Sequence, residues 1–367
     1  MPTLTTDKPA AGPASASGSL LRDGRYRNAQ PRRAGGLRDT LRIMLRFFTD
    51  KSPHAVPAQP IRPLPLSPAD LASAPDNSLW RLGHSTVLFK LDGAFLLTDP
   101  VFGQRASPFS FIGPKRFHAP PIALDDLPQL DVVIISHDHY DHLDRASVLA
   151  LQHKTRRFVT PLGVGQRLQD WGIPAEKIQQ LDWWQGVDAG PLHITATPAQ
   201  HFSGRGLRDG NHTLWASWVI RSSQSRVFFS GDSGYFDGFR EIGRRHGPFD
   251  LTLLENGAYN EDWADVHMHP EQTLQAHLDL RGAVLIPIHN GTFDLALHGW
   301  TEPLERISTL AAQHDVCLRT PRFGERLDIL HPAQTQAWWQ SQTTLIHTPS
   351  KCPQLAKLHF RLLPKQS

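Results

Sequence analysis

The stretch "IISHDHYDHLD", residues 134–144, carries three histidines and three aspartates directly after an apolar run. Residues 132–135 predict a buried strand, so the motif H-x-H-x-D-H lies on the loop that leaves a strand end. Such loops on a rigid scaffold can direct several side chains to one point. A charged turn before a helix is the ordinary interpretation, but three imidazoles give a turn no advantage. Imidazole and carboxylate groups suit Zn²⁺ and related first-row metals, and the stretch therefore indicates a metal site.

The spacing within this motif indicates two metal ions rather than one. Side chains of an extended chain alternate with a period of two residues, so His137 and His139 point to the same side and can chelate one ion. The chain then turns, and Asp141 and His142 can reach a second ion. One segment cannot complete both sites, because catalytic zinc usually takes about three protein ligands and keeps one position open.

Three later segments supply further candidate ligands, each just after an apolar run. They are "TATPAQHFSGRG" with His201, "VFFSGDSGY" with Asp232 and "LIPIHNGTF" with His289. A lone histidine after a strand is more often structural than ligating, but the order of all these residues at successive strand ends is much more specific. The ligands must be histidine and carboxylate, because two cysteines are too few for a cysteine-based zinc site.

The composition bounds the class of protein. The 367 residues are 40% hydrophobic, enough for a large core in one domain or two. Residues 1–51 carry ten Lys/Arg and four Asp/Glu, while the remainder carries 28 and 31, so the body is mildly acidic. A nucleic-acid partner is disfavoured, because tracking phosphates needs a basic body. No apolar run reaches about 18 residues and no apolar signal segment lies near the start, so we expect a cytoplasmic protein without a transmembrane helix or signal peptide.

The chain divides by composition into four parts. Residues 1–52 form a basic arm, 53–77 a Pro-rich linker, 78–345 the domain that holds the motifs, and 346–367 a tail. The composition of residues 1–36 predicts disorder. Residues 37–48 predict an amphipathic helix, with an apolar face of Leu37, Leu41, Met44, Leu45 and Phe48 and a basic side of Arg38, Arg42 and Arg46. Such a helix either lies in an anionic membrane interface or packs on its own domain.

The domain from residue 78 onward alternates short β-rich runs with helical patterns. The runs are bounded by Gly, Pro and Asp, and helical patterns lie between the later ones at 145–153, 162–171, 235–245 and 270–280. This pattern predicts an α/β (α+β) protein with mixed sheets covered by helices, rather than a doubly wound fold.

The order and spacing of the candidate ligands resemble those of the metallo-β-lactamase superfamily. The resemblance implies an αβ/βα four-layer sandwich with a dinuclear metal site at the sheet edge. The segments "GPKRF", "LDWW" and "LWASW" are further similar to N-acyl-phosphatidylethanolamine-hydrolysing phospholipases D, within a likeness that covers residues 78–310. That likeness implies a phosphodiesterase that releases N-acylethanolamine and phosphatidic acid from a phospholipid, in peripheral contact with a membrane, and it allows a homodimer. A lactonase or another carbonyl-attacking hydrolase stays open, because the same ions polarise a carbonyl equally well.

The resemblance also assigns roles residue by residue. It implies His137, His139 and His201 on one ion, Asp141, His142 and His289 on the other, and Asp232 between both. A hydroxide between the ions would be the nucleophile, and Asp141 would also steer its proton. Two divalent ions are implied, with Zn²⁺ as the default and Mn²⁺ or Fe as alternatives. One departure is Asn290, where the family tends to carry an aromatic residue.

Weaker expectations concern five residues near the motifs. His267 in "DVHMHPEQ" contacts the substrate or transfers a proton, or it caps the helix that starts near residue 270. Asp99 in "LTDP" is expected to orient a metal-bound histidine, and His84 in "GHST" does the same or is merely buried. Lys115 and Arg116 in "GPKRF" attract a lipid phosphate or are ordinary solvated residues.

Overall fold

The computed structural model describes residues 18–31 and 37–340. The strands are β1 (Leu20–Arg22), β2 (Arg25–Arg27), β3 (Ser78–Arg81), β4 (Val87–Leu91), β5 (Ala94–Thr98), β6 (Leu130–Ile134), β7 (Thr155–Pro161), β8 (Ile178–Leu181), β9 (Gly186–Ala189), β10 (Leu192–Thr197), β11 (Ser217–Arg221), β12 (Arg226–Phe229), β13 (Phe249–Glu255), β14 (Gly282–Ile288), β15 (Cys317–Leu318) and β16 (Arg326–Asp328). The helices are α1 (Leu37–Thr49), α2 (Pro68–Ser73), α3 (Arg145–Leu151), α4 (Val164–Asp170), α5 (Gly238–His246), α6 (Pro270–Asp279) and α7 (Glu302–Gln313). Short 3-10 turns occupy Leu124–Asp126, Ala175–Lys177 and Glu261–Trp263.

Fourteen of these strands build two seven-stranded sheets with the same plan. The first has the order β16-β3-β4-β5-β6-β7-β8 and the second β15-β14-β13-β12-β11-β10-β9. In the first sheet, β16, β3, β4 and β5 pair antiparallel and the strands from β5 to β8 pair parallel. In the second, β9 to β12 pair antiparallel and β12 to β15 pair parallel. Along the chain, each sheet therefore begins with antiparallel strands joined by hairpins and continues with parallel strands joined by longer crossovers. The exception is β16, which is last in the chain but pairs with β3 at the antiparallel end of the first sheet.

The two sheets pack face to face and helices cover their outer faces. On β6, Val132 and Ile134 join the inner core that both sheets share, whereas Val133 joins an outer core with Val148 of α3. Residues 132–135 therefore form an uninterrupted apolar run because the strand is buried on both faces. Helices α5, α6 and α7 cover the second sheet, where Phe239 is fully buried. The arrangement is an αβ/βα four-layer sandwich, and the predicted fold class is confirmed.

The loops that follow several strands converge at one edge of this sandwich. Asp99 follows β5, His137 follows β6, Asp232 follows β12 and His289 follows β14, while Glu255 ends β13. Asp99 (φ 34°) and His289 (φ 63°) adopt the left-handed backbone region. Residues other than glycine rarely adopt it, and such strain persists where the surrounding structure fixes a functional side chain.

Part of the arm packs on the sandwich, although the sequence predicts disorder up to residue 36. Strands β1 and β2 form a hairpin, and the backbone N–H of Tyr26, a buried residue, donates to Asn211 O at 2.8 Å. The segment 53–77, predicted as a linker, also packs on the domain, since Ile61 and Leu71 are buried and α2 lies within it. Composition missed these segments because their few anchoring side chains have partners far along the chain. Predictions for residues 1–17, 32–36 and the tail at 346–367 lie outside the described residues.

Helix α1 docks on its own domain through a face that the sequence did not predict. Phe47 stacks on Trp263 with ring centroids 5.8 Å apart and an interplanar angle of 8°. Ile43 and Phe47 line a cavity of the domain, whereas Leu41 and Leu45 of the predicted apolar face are 57% and 62% exposed. Within residues 18–31 and 37–340, no helix is both long and apolar enough to cross a membrane.

Candidate metal centre

Three histidine nitrogens meet in a first group at the edge of the sandwich. His139 Nδ1 lies 2.9 Å from His137 Nε2 and 3.3 Å from His201 Nε2. Two metal–nitrogen bonds of about 2.1 Å, at angles of roughly 90–110°, place their nitrogens about 3.0–3.4 Å apart. The spacing of the three nitrogens therefore fits ligation of one ion. The structure thus brings together the three residues predicted for this ion.

A second group lies beside the first and shares Asp232 with it. Asp232 Oδ1 is 3.0 Å from His142 Nε2, and Asp232 Oδ2 is 3.1 Å from His289 Nε2. Asp141 Oδ2 lies 3.3 Å from His289 Nε2 and 3.6 Å from His142 Nε2. Asp232 Oδ2 also lies 3.8 Å from His137 Nε2, so this carboxylate is between the two groups, as expected for a bridging ligand.

The donor atoms of this cluster fit a cation better than they fit one another. His142 Nε2 and Asp232 Oδ1 are buried and close, yet neither has a hydrogen-bond partner. Buried polar atoms are rarely left in that state unless an ion or water completes them. The set of imidazoles and carboxylates is also the one that zinc and related metals prefer.

The electrostatics of the second group point the same way. Burial acts to lower the pKa of His289, but Asp232 and Asp141 outweigh it and raise that pKa to about 10. Burial lowers the pKa of His137 well below its ordinary value, and the neighbouring histidines lower it further. The carboxylates therefore favour a positive charge at the second group. A divalent ion would supply that charge while His142 and His289 stay neutral.

Asp99 fixes the orientation of two of the proposed ligands. Its Oδ2 accepts hydrogen bonds from His142 Nδ1 at 2.7 Å and from Ser136 Oγ at 2.6 Å. Ser136 Oγ in turn accepts from His137 Nδ1 at 2.9 Å. Both rings are thereby held with Nε2 toward the centre, which is the role expected of Asp99. Burial raises the pKa of Asp99, and the bonds from His142 and Ser136 oppose that rise.

His201 is held from both its ring and its main chain. Its Nδ1 donates to Val266 O at 3.0 Å, which leaves Nε2 for the metal centre. The side chain of Asn28 bonds to both main-chain polar groups of His201. Its Nδ2 donates to His201 O at 2.8 Å, and its Oδ1 accepts from His201 N at 3.0 Å. Sequence reasoning missed Asn28, because nothing in a Gly- and Arg-rich arm marks it as a partner of residue 201.

His84 lies against the second group and is buried. Its ring centroid is 3.9 Å from that of His289, and its Nε2 is 3.3 Å from Asp141 Oδ2. Burial, and then the neighbouring His289, lower the pKa of His84 to about 3. Its neutral ring therefore has a lone pair within reach of the same ion as Asp141 and His289.

Of the other residues singled out in the sequence, Arg116 and Asn290 are buried and Lys115 is exposed. Arg116 is buried and donates to Val101 O and to Gly103 O, and burial lowers its pKa to about 10, so it is not an ordinary solvated residue. Lys115 is exposed, as expected. Asn290 is buried and its Oδ1 accepts from Arg81 Nη2 at 2.9 Å, which fixes the loop that carries His289.

The middle aspartate of the motif, Asp138, anchors the loop instead of joining the ligand cluster. Its Oδ2 accepts from Arg167 Nε at 2.8 Å and its Oδ1 from Gly204 N at 2.7 Å. Arg167 also donates to Asp209 at 2.6 Å. These bonds tie the segment around His139 to the loop that follows His201.

His267 lies at the rim of the centre and bonds to Glu255. Its Nδ1 donates to Glu255 Oε1, and its ring centroid is 5.1 Å from that of His201. The residue that caps α6 is His269, whose backbone N–H donates to Gln272 Oε1 at 3.0 Å, so His267 does not cap this helix. Sequence reasoning missed Glu255, although "LTLLEN" ends an apolar run with a carboxylate just as "VFFSGD" does.

Comparison with known proteins places this centre in a family. The model of the β-lactamase superfamily domain matches residues 95–290. An uncharacterised protein of Mycobacterium tuberculosis is 44% identical over 327 residues, which cover 87% of either chain. N-acyl-phosphatidylethanolamine-hydrolyzing phospholipase D 1 of Caenorhabditis elegans is 38% identical over 242 residues, covering 62% of this chain and 68% of that protein. The metallo hydrolase Igni18 of Ignicoccus hospitalis shares the fold, with a TM-score of 0.51 at 23% identity over 68% of this chain and 97% of that one. The chain therefore belongs to the β-lactamase superfamily and is a metal-dependent hydrolase of the metallo-β-lactamase fold, as its motifs predict.

Proposed function

We propose that the chain is a dinuclear zinc-dependent phosphodiesterase of the phospholipase D type. It cleaves N-acyl-phosphatidylethanolamine-like lipids to N-acylethanolamine and phosphatidic acid. A cavity of about 360 Å³ over the ligand cluster carries this proposal. Its polar floor includes His139, Asp141, Asp232 and His289, and its apolar walls are Ile43, Phe47, Phe202, Trp263, Val266 and Leu295. The polar floor suits the phosphodiester group of a lipid, and the apolar walls suit its hydrocarbon chains. The likeness to the C. elegans enzyme supports the same substrate class.

The chain's own residues divide the work of the reaction. When bound, two divalent ions lower the pKa of water and offset the negative charge of the phosphodiester. His137, His139 and His201 would hold one of them, His142 and His289 with Asp141 would hold the other, and Asp232 would contribute to both. Asp141 is 15% exposed, toward the same cavity, and takes the proton of the attacking water. His267 lines that cavity as well and would donate a proton to the leaving oxygen of a lipid bound there.

Exposed apolar side chains support a peripheral contact with a membrane. Leu41 and Leu45 of α1 project from the domain, and the loop at residues 107–113 exposes Phe109, Phe111 and Ile112, of which Phe111 is 77% exposed. Scattered single leucines need no explanation, but a set on two neighbouring segments is typical of an interaction surface. We propose that this set enters the lipid interface.

A second groove lies beside the metal cavity. The groove has a volume of about 650 Å³, and Phe47, Lys51 and Lys115 line it. Phe47 also lines the metal cavity, so the two spaces share one wall. The exposed Lys115 suits the phosphate of a phospholipid, whereas Lys51 pairs with Asp294 at 2.6 Å, and the apolar residues suit the lipid chains. A homodimer stays a prediction.

The proposed function is tested with the purified protein and its His137→Ala variant. We expect the wild type to release N-acylethanolamine from N-acyl-phosphatidylethanolamine in mixed micelles, detected by mass spectrometry, at a rate at least about 100-fold above the variant. Elemental analysis should find about two ions per wild-type chain, with zinc bound preferentially. Equal rates for the two proteins on this lipid, together with rapid opening of acyl-lactones by the wild type alone, would instead establish the carbonyl-attacking hydrolase.

A further inference from the structure

Glu255 is a fully buried carboxylate beside the metal centre that belongs to neither ligand group. It ends β13, at the same edge of the second sheet as Asp232 and His289. Burial raises its pKa, and the ring of His267 opposes that rise. A buried carboxylate is costly unless its partners are well placed, so the contacts of Glu255 indicate what it is for.

Both oxygens of Glu255 are engaged. Oε1 accepts the hydrogen bond from His267 Nδ1, and Oε2 accepts from Ser233 N at 2.8 Å. Its own backbone N–H donates to Ser230 Oγ at 2.9 Å. Ser230 and Ser233 flank Asp232 in sequence, so the carboxylate is fixed by the loop that supplies the bridging ligand.

A third metal site at this place is a weaker explanation. Glu255, His267 and His289 do lie close enough to share an ion. However, His289 Nδ1 is 3.9 Å from Glu255 Oε1, and the Nε2 of the same ring already faces Asp141 and Asp232. Glu255 Oε1 is instead occupied by His267 Nδ1, whose ring is 15% exposed where it borders the cavity.

We propose that Glu255 is a positioning residue that holds His267 as the proton donor to the leaving group. This inference rests on the proposed function. With Nδ1–H bound to the carboxylate, the doubly protonated ring presents Nε2–H to the cavity over the metal centre. Carboxylates orient catalytic histidines in this way in other hydrolases by fixing the tautomer and stabilising the charged ring.

Hydrolysis exchanges one bond at phosphorus for another and moves two protons. The oxygen of water bonds to phosphorus, and one of its protons passes to Asp141. The bond from phosphorus to the ethanolamine oxygen breaks, and its electron pair stays on that oxygen. The oxygen takes the proton from His267 Nε2, which leaves N-acylethanolamine and a neutral ring bonded to Glu255. Solvent then returns the proton from Asp141 to His267.

The test compares leaving groups in Glu255→Gln, His267→Gln and the double variant. An alkoxide leaving group needs a proton, whereas p-nitrophenolate does not. We therefore expect Glu255→Gln to lower kcat for N-acyl-phosphatidylethanolamine about 10-fold or more and His267→Gln about 100-fold. Both should lower kcat for bis(p-nitrophenyl) phosphate less than about threefold, with little change in KM. The double variant should be no slower than His267→Gln, because the two residues act as one unit.

Metal content and a matched control separate this role from a structural one. Each variant should retain about two ions per chain by elemental analysis, and Glu271→Gln, whose side chain is 53% exposed, should behave as the wild type. Equal losses on both substrates, or loss of metal from Glu255→Gln, would overturn the proposal. If the wild type does not cleave the lipid, the proposed function fails by itself. The roles of Glu255 and His267 are then tested by comparing the same variants on alkyl and p-nitrophenyl esters. Equal losses of kcat on the two esters would again refute the proposal.

Discussion

Replacing Asn28 by alanine is expected to weaken the binding of one metal ion while the fold persists. The side chain of Asn28 makes three hydrogen bonds at the centre. It donates to His201 O at 2.8 Å, and it accepts from His201 N at 3.0 Å and from Trp215 Nε1 at 2.9 Å. Alanine would leave the buried N–H of His201 without this partner.

The expected magnitude follows from those contacts. Each hydrogen bond contributes about 1 kcal/mol, so the three together are worth roughly 2–3 kcal/mol. Part of this free energy holds the hairpin to the domain, and part holds His201 in position. Loss of a residue that orients a ligand typically lowers metal affinity about 10–100-fold. We expect a loss in this range for the ion proposed at His137, His139 and His201, and a smaller effect on the other proposed ion.

The assay is competition between the metal-free protein and a chromophoric chelator, titrated with Zn²⁺. Wild type, Asn28→Ala and the control Gln30→Ala are compared, since the Gln30 side chain bonds to the exposed Asp237 at 3.1 Å. Two binding steps of wild-type affinity in Asn28→Ala would refute the reasoning. Equal weakening of both steps, with a large drop in Tm, would show that the arm supports the fold rather than His201.

Three further predictions concern other parts of the molecule. Asp99→Asn should lower the affinity for the ion held by His142 about 10–100-fold in the same chelator competition, and an unchanged affinity would contradict the role of Asp99. Leu41→Ser with Leu45→Ser should reduce co-sedimentation with anionic vesicles and leave hydrolysis of a soluble short-chain substrate unchanged; undiminished sedimentation would remove α1 from the membrane contact. Burial acts to raise the pKa of Asp209, but hydrogen bonds from two backbone N–H groups and an arginine outweigh it and lower that pKa to about 2. Its stabilisation is therefore complete above about pH 4 and is lost as the pH falls toward 2. The difference in urea midpoint between wild type and Asp209→Asn should shrink over that range, and a constant difference would show that the charge is irrelevant.

The sequence was sufficient for the fold class and for the membership of the family. The motif H-x-H-x-D-H and the later strand ends are local signals, because a ligand must leave a strand at a fixed edge of the sheet. The structure brings all seven proposed ligands into adjoining groups, although their role as ligands stays a prediction. Asp99 could be anticipated for the same reason, since it too follows an apolar run.

Sequence reasoning failed where a residue acts through a distant partner. Asn28 lies 173 positions from His201, and its segment has the composition of a disordered arm. Arg116 reads as a surface charge beside Lys115, yet its guanidinium is buried against main-chain oxygens. The face of α1 that packs could not be chosen from periodicity alone, because Ile43 and Phe47 form a second apolar pair opposite Leu41 and Leu45.

The pairing of β16 with β3 has a consequence for how the protein is made. Residues 326–328 pair with residues 78–80, so the first sheet is covered at this edge by one of the last strands to leave the ribosome. Every proposed ligand has been synthesised by residue 289. A nascent chain of that length thus carries the complete set of proposed ligands while the β3 backbone of its first sheet is still open. Open strand edges template aggregation. We expect chains that end before residue 326 to precipitate while retaining every ligand, so that synthesis of the remaining segment, rather than metal supply, sets the yield of soluble protein.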